Sequence, residues 1–181
     1  MQTQGDSLKK LRFVFVMLVV VIALGAVVAS GEENKAEKVG SSDSDKKTSS
    51  KQEVFAINDV VKLGDWTVQV YGVQDPVPVT DEFSKPDDGN RWVGVDTEVK
   101  NLSDEEQIIV DCFELQDDAN HTYSEDIFSG VKPEAPSSNI DPDGAQRGII
   151  VFQVPSDYAG GFELRFACDF LDTGSARIKL K

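Results

Sequence analysis

Beyond residue 53 of its 181 residues, the chain is predicted to fold as an all-β domain, an immunoglobulin-like β-sandwich of seven to eight strands. Three observations predict it. After residue 54 no stretch keeps apolar residues at helical spacing for three turns. Several stretches instead alternate apolar and polar side chains with period two, and clusters of Gly, Pro, Asn and Asp separate them at short intervals.

The first element is not part of that domain. Lys9, Lys10 and Arg12 precede an uncharged stretch, and Phe13 to Ala29 is a nearly unbroken apolar run. A basic cluster followed by such a run is an export signal, predicted as a hydrophobic helix over residues 1–31. Its length suits either the core of a cleavable signal peptide, with Ala29 and Ser30 as small residues at the cleavage point, or a signal anchor that stays in the membrane. Both readings place everything after Gly31 outside the cytoplasm, membrane-anchored or released. No cysteine follows the run, so a lipid-modified N-terminus is not available. Residues 32–53 hold six acids and five lysines with almost no large apolar side chains, the composition of a disordered polyampholyte linker. The domain is therefore expected to span residues 54–181.

Its strands follow in order. Val60 to Leu63 is short; in Trp66 to Tyr71 the even positions face inward, Trp66 among them. Arg91 to Lys100 carries Val93, Val95 and Val99 on one face and Trp92 on the other. Gln107 to Gln116 starts with Ile108, Val110 and Cys112 in phase and then shifts to Phe113 and Leu115. That shift implies a bend near Cys112 and a strand shared between two sheets. Asp117-Asp118-Ala119-Asn120 is a turn, so Thr122 to Glu125 returns as a hairpin partner. Arg147 to Val154, Phe162 to Phe170 and Ala176 to Leu180 complete the set, with Cys168 on the apolar phase of its strand. Two connections, 76–90 and 126–144, are long enough to carry sites.

The series Lys62-Leu63-Gly64-Asp65-Trp66, Trp92-Val93-Gly94-Val95-Asp96 with Val99-Lys100-Asn101, Phe113-Glu114-Leu115-Gln116-Asp117, and Asp143-Gly144-Ala145-Gln146-Arg147-Gly148 through Val154-Pro155 resembles the Domain of Unknown Function 4352 family. The similarity runs from Phe55 to Lys181, and the G-x-x-x-G-x-x-x-F-x-V-P stretch from Gly144 to Pro155 is its most distinctive part. Family members commonly carry Pro-Gly before that strand; here Pro142-Asp143-Gly144 is one residue longer. The resemblance implies an exported prokaryotic immunoglobulin-like domain, related in fold to a secreted mycobacterial immunogenic protein. It implies an adhesive or sensory accessory role and carries no catalytic residues.

Charge and composition exclude several function classes. Twenty-five acids against ten Lys and Arg give the domain −15, and the whole chain a net charge of −14, which repels phosphate backbones and argues against nucleic-acid binding. With one histidine and two cysteines the chain offers no Cys/His zinc cluster and little histidine-based catalysis. His121 sits in a turn sequence without a nucleophile elbow, and a Cys112/His121 dyad would have to span roughly 16 Å of strand. Cys112 and Cys168, in an exported domain without a CxxC motif, are expected to form a disulfide; two buried free thiols are the alternative.

Asp87, Asp88, Asp141 and Asp143 lie in acidic turns whose oxygens suit a weakly held Ca²⁺, although twelve-residue loops from Asp117 or Asp141 end on Phe128 and Phe152, not on glutamate. No other cofactor is indicated. Of the aromatic residues that could form a carbohydrate platform, Trp66, Tyr71 and Trp92, the outward phase of Trp92 makes it the candidate partner surface. Asn101-Leu102-Ser103 and Asn120-His121-Thr122 are glycosylation sequons. The function expected is a non-enzymatic extracytoplasmic domain that binds a protein or envelope component. The alternative is a module that binds calcium or a small ligand on acidic loops.

Overall fold

Period-two alternation commits each strand to one buried face, and two such faces satisfy each other only by packing together. In the computed structural model, which describes residues 35–39, 53–79, 84–168 and 174–181, the chain does this as an all-β sandwich. The N-terminal segment 1–31 lies outside the described residues. Among the described residues no helix is long and apolar enough to cross a membrane.

Twelve strands are present among the described residues: β1 (Glu37–Lys38), β2 (Val54–Ala56), β3 (Val60–Leu63), β4 (Trp66–Gln74), β5 (Asn90–Asn101), β6 (Gln107–Ile108), β7 (Phe113–Asp117), β8 (Thr122–Ser124), β9 (Asn139–Ile140), β10 (Ala145–Pro155), β11 (Phe162–Phe166) and β12 (Ala176–Lys179). One sheet has the order β1-β3-β4-β5-β10, the other β2-β12-β11-β7-β8, and β6 pairs with β9 in a small third ladder. All pairings are antiparallel except β12 with β2. The core between the two large sheets holds Val61, Val68, Val70, Val93, Val95, Val99, Ile150 and Phe152 from one side and Phe113, Leu115, Phe162, Leu164, Phe166 and Ile178 from the other.

Most of the expected strands are found, but Gln107 to Gln116 is divided into β6 and β7, and Phe162 to Phe170 is strand only to Phe166, with residues 169 and 170 outside the described residues. Before the bend the inward phase is the reverse of the expected one, with Ile109 buried and Ile108 and Val110 exposed, whereas after it Phe113 and Leu115 are buried as expected. Asp111, at φ 52°, turns the chain there, so alternation cannot be carried through it. The segment before the bend joins the small ladder with β9 instead of the first large sheet. In β4 the register shifts between Val70 and Gly72, which inserts Tyr71 as an extra residue and brings Val73 onto the inward phase.

The expected linker and domain boundaries also need correction. Within 32–53, residues 37 and 38 form β1 on the edge of β3 and Ala36 is buried; residues 32–34 and 40–52 lie outside the described residues. A two-residue strand that buries a single methyl leaves no trace in a hydrophobic pattern. The strand β2, which buries Phe55, is too short to be read for the same reason.

Candidate functional site

The long connection after β8 is where the sandwich places exposed apolar groups. Glu125 bridges to Phe152 and the Asp126 N–H donates to the Val151 carbonyl at 2.7 Å, so the chain starts along the free edge of β10. It then turns. The Asp126 carboxylate is the hub of that turn: Oδ2 accepts from Trp92 Nε1 at 2.8 Å and from Gln153 Nε2 at 3.0 Å, and Oδ1 accepts the Phe128 N–H at 3.1 Å. Held in this way, Ile127 and Phe128 project into solvent with 72% and 83% of their surface exposed. A Cβ added at Gly130 would lie 3.3 Å from Ser84 Oγ, so the two long connections meet beside this tip. Two adjacent large apolar side chains displayed by a braced turn are the strongest interaction feature of the described surface.

Trp92 therefore has a different place from the one expected. It lies on the outward phase of β5, but it is only 2% exposed, packed with Val77 and Val151 and flanked by Val131 and Ile149. It is not a partner surface; its indole braces the turn that displays Ile127 and Phe128. Period-two reading assigns the face correctly and cannot see the two connections that cover it.

Beyond the tip, the connection crosses the edge of β10. The Ile149 N–H donates to the Pro133 carbonyl, and Gly148 lets the backbone of Glu134 and Ala135 pass so close that a Cβ there would sit 1.7 Å from the Glu134 carbonyl oxygen. Ala135 and Ile140 then enter the main core.

The other carboxylates serve the frame. Asp117, buried, accepts the Ala119 and His121 N–H groups on Oδ1, both at 2.8 Å, and His121 Nδ1 and the Tyr123 hydroxyl on Oδ2, both at 2.9 Å. Burial alone would raise its pKa, but these hydrogen bonds outweigh it and bring it down to about 2. Burial, and then the bond to Asp117, pushes Tyr123 up to about 12. His121 is an exposed turn residue, as its sequence context indicates, and it serves the hairpin. At the other end of β7 burial pushes Glu125 up to about 7, against the bond it accepts from the Phe113 N–H at 3.2 Å and with help from the Asp111 charge.

Cys112 and Cys168 form a disulfide with α-carbons 4.7 Å apart, just beyond the last β7–β11 pair, Phe113↔Phe166, where the Ala167 N–H also donates to the Cys112 carbonyl. Closing this loop stabilises the domain by about 4 kcal/mol in the chain-entropy model, and it removes Cys112 as a nucleophile. Asp87 and Asp88 precede β5, whereas Asp141 and Asp143 precede β10, which runs antiparallel to it. The two pairs thus stand at opposite ends of the ladder, roughly 33 Å apart at about 3.3 Å per residue, and do not form one ligand set. Asp143 instead lies 3.5 Å from Lys100 Nζ. Among the described residues no group of three or more His, Cys, Asp or Glu is placed to hold a metal ion.

Of the two sequons, Asn120 is exposed in its turn, but Asn101 is fully buried. Its Nδ2 donates to the carbonyls of Glu105 and Ile140, and its Oδ1 accepts from the Ser103 N–H and hydroxyl, which removes it as a glycan acceptor. Asp117 was read in the sequence only as a turn residue, and Asp126 and the Ile127–Phe128 tip went unnoticed. The available signal was an Ile-Phe pair set between polar residues in a long connection.

A sandwich of two five-stranded sheets, with one disulfide beside two adjacent strands of the second sheet and its two most exposed large apolar side chains on a connection, defines the class of protein. The chain belongs to the family described as a domain of unknown function, DUF4352, whose model matches residues 55–176. None of the curated proteins is a significant match. Among solved structures it is similar to an uncharacterized β-sandwich protein from Clostridium difficile 630, at 15% identity over 76% of this chain and 99% of that one, with a TM-score of 0.51. It is also similar to a conserved hypothetical protein from Bacillus anthracis, at 18% identity over 70% and 95% of the two chains and a TM-score of 0.51. The yjhA protein from Bacillus subtilis matches at 13% identity over 70% and 99%, with a TM-score of 0.54. These likenesses establish a shared fold.

Proposed function

We propose that this protein is a non-enzymatic extracytoplasmic binding domain of immunoglobulin-like type, which engages an envelope protein through the tip at Ile127 and Phe128. The observation that carries the reading is that tip, two large apolar side chains exposed together on a turn braced by Trp92, Asp126 and Gln153. An exposed pair held in one geometry loses little entropy on binding, the usual property of an interface anchor. The extracytoplasmic placement is supported by the disulfide, which persists in oxidising compartments, and by the basic and apolar N-terminal sequence. That sequence serves as a signal or an anchor, and the mass of the mature N-terminus distinguishes the two.

The test is site-specific photo-crosslinking in intact cells. A photoreactive residue at Ile127 should give a discrete adduct with one envelope protein, and the same residue at the exposed turn position Asn120 should not. Phe128→Ser should abolish the adduct while leaving stability within about 0.5 kcal/mol, because the side chain has little to lose on unfolding. No adduct at Ile127, or an adduct indifferent to Phe128→Ser, overturns the reading.

A further inference from the structure

The edge of β3 is the second feature of the described surface with an unusual occupant. Its inner side is fully paired with β4, from Val60↔Gln69 to Leu63↔Trp66. Among the described residues its outer side meets only β1, at Glu37↔Lys62 and Lys38↔Val61, with one further bond from the Val39 N–H to the Val60 carbonyl at 2.8 Å. Two side chains of the occupant contribute beyond its backbone. Ala36 is buried against the main core. Two residues on and on the same face, Lys38 places its Nζ 2.6 Å from Asp59 Oδ1.

The receiving groups do not depend on that occupant. Asp59 is oriented by its own turn, where Oδ2 accepts the Ala56 N–H at 3.0 Å. The outer carbonyls and amides of β3 project whether or not β1 is present, because β4 alone aligns the strand. By contrast, β1 comes from a Ser-, Lys- and Glu-rich segment and brings two ladder pairs, one methyl and one exposed ion pair. Exposed ion pairs contribute little, and a strand this short is weakly held. A prepared edge with a weak resident strand is the arrangement of a strand-acceptor site filled by a stand-in.

We infer that the outer edge of β3 is a peptide-binding site that receives an extended segment of another protein as an added antiparallel strand. The segment carries a small apolar residue followed two positions later by lysine, and Ala36-Glu37-Lys38 occupies the site in cis until it is displaced. The chemistry sets the preference: the ladder bonds accept any backbone, the buried place of Ala36 favours a small apolar side chain, and Asp59 favours a cation. This site is separate from the Ile127–Phe128 tip and does not rest on the function proposed above. Residues 40–52 join β1 to β2 in one chain, and a covalent connection of this length gives an effective concentration on the order of millimolar. A free peptide of similar intrinsic affinity therefore competes poorly until the resident strand is weakened.

The experiment uses the full chain in detergent and a fluorescent peptide of sequence Glu33-Asn34-Lys35-Ala36-Glu37-Lys38-Val39-Gly40-Ser41. Val39→Pro, which removes the donor to Val60 and cannot join the ladder, opens the site. Fluorescence anisotropy should show the peptide binding at least tenfold more tightly to this variant than to the unaltered protein. A peptide with glutamate in place of the lysine at position 38, or tryptophan in place of the alanine at position 36, should lose that binding by tenfold or more. In the unaltered protein, millimolar peptide should shift the amide resonances of Val60 to Leu63, so the question is decided even where Val39→Pro fails to fold. Equal affinity for the opened and unaltered proteins, indifference to either peptide change, or resonances of Val60 to Leu63 that stay still overturns the inference.

Discussion

The outward face of the five-stranded sheet divides into two halves that share strands but differ in fate. Along β5 its outward positions are Trp92, Gly94, Asp96, Glu98 and Lys100, opposite Gln153, Val151, Ile149, Arg147 and Ala145 of β10. In the first half Trp92 and Val151 are buried beneath Val77 and beside Val131, so the sheet has an apolar layer on its outer side as well as its inner one. In the second half the Arg147 guanidinium lies 3.7 Å over the Tyr71 ring and pairs with both oxygens of Asp96 at 2.9 and 2.8 Å, in contact with water. The two long connections make the difference. Val77 donates its N–H to the Trp92 carbonyl at 2.9 Å, and Asp126 is drawn in by the Trp92 indole, so both pass over the same half. Burial on a sheet face is thus set by where connections are anchored as well as by the alternation of the strands.

Removing a side chain from each half is the most direct challenge to this contrast. Trp92→Ala should cost about 3–5 kcal/mol in urea unfolding, since it empties the outer layer and leaves Asp126 without its indole donor. Tyr71→Ala should cost about 1 kcal/mol or less, because a cation–π contact in water is weak. Equal losses would erase the distinction between the halves.

A smaller effect, with opposite signs, is expected at two glycines of the same sheet. A Cβ at Gly94 would lie 2.7 Å from Val77 Cγ2 and 2.9 Å from Ile149 Cγ2, whereas one at Gly72 meets nothing within 4 Å. Gly94→Ala should therefore destabilise by about 1–3 kcal/mol through overpacking. Gly72→Ala should stabilise by about 0.5 kcal/mol, since glycine loses more backbone freedom than alanine on entering a strand. Thermal unfolding of both variants reads the two signs, and a stabilising Gly94→Ala would mean that Val77 does not cover that half.

The smallest effect sharpens the contrast at the point where the covering connection leaves β8. Glu125 is pushed up to about 7 by burial, above its ordinary value of 4.5, so the folded state holds the proton more tightly than the unfolded chain. Its favourable contribution is fully present below pH 4.5, declines as the pH rises to about 7, and is lost above that. Part of the carboxyl meets water, which limits the loss to about 1–2 kcal/mol. Asp117 acts in the opposite sense in a lower window, with stability lost as the pH falls from 3.8 to about 2. Glu125→Gln should flatten the stability profile between pH 4.5 and 7 and leave the acid limb unchanged; an unchanged slope there would place Glu125 in solvent.

Much of this molecule was legible in its sequence, and the exceptions share a cause. Val68, Val70, Val93, Val95, Phe162, Leu164 and Phe166 fall on the expected inward phases, because a half-buried strand records its face in every second residue. The reading fails where the backbone breaks period two, at Asp111 with its positive φ and at the bulge of Tyr71. It also fails where a segment contributes one buried group, as Ala36 does. For the candidate site, Trp92 was placed on the outward face but not recognised as covered, and Asn101 reads as a surface sequon although its side chain makes five hydrogen bonds inside the protein. Partners supplied by distant segments, Asp126 and Val151 for Trp92 and Ile140 for Asn101, leave no local pattern.

What the sequence determined by itself was the class of fold, the family and the position of most strands, because these rest on local alternation and on motifs; it made the Cys112–Cys168 bond the expected state of the two thiols. Only the tertiary structure decided which outward residues are surface. It buried Trp92, lifted Ile127 and Phe128 into solvent, separated Asp87 and Asp88 from Asp141 and Asp143, and laid residues 37 and 38 on the edge of β3. The physical reason is that exposure and ligand geometry depend on which distant segments meet, and hydrogen bonds such as Trp92 to Asp126 and Val39 to Val60 choose those meetings without requiring any periodicity in the chain.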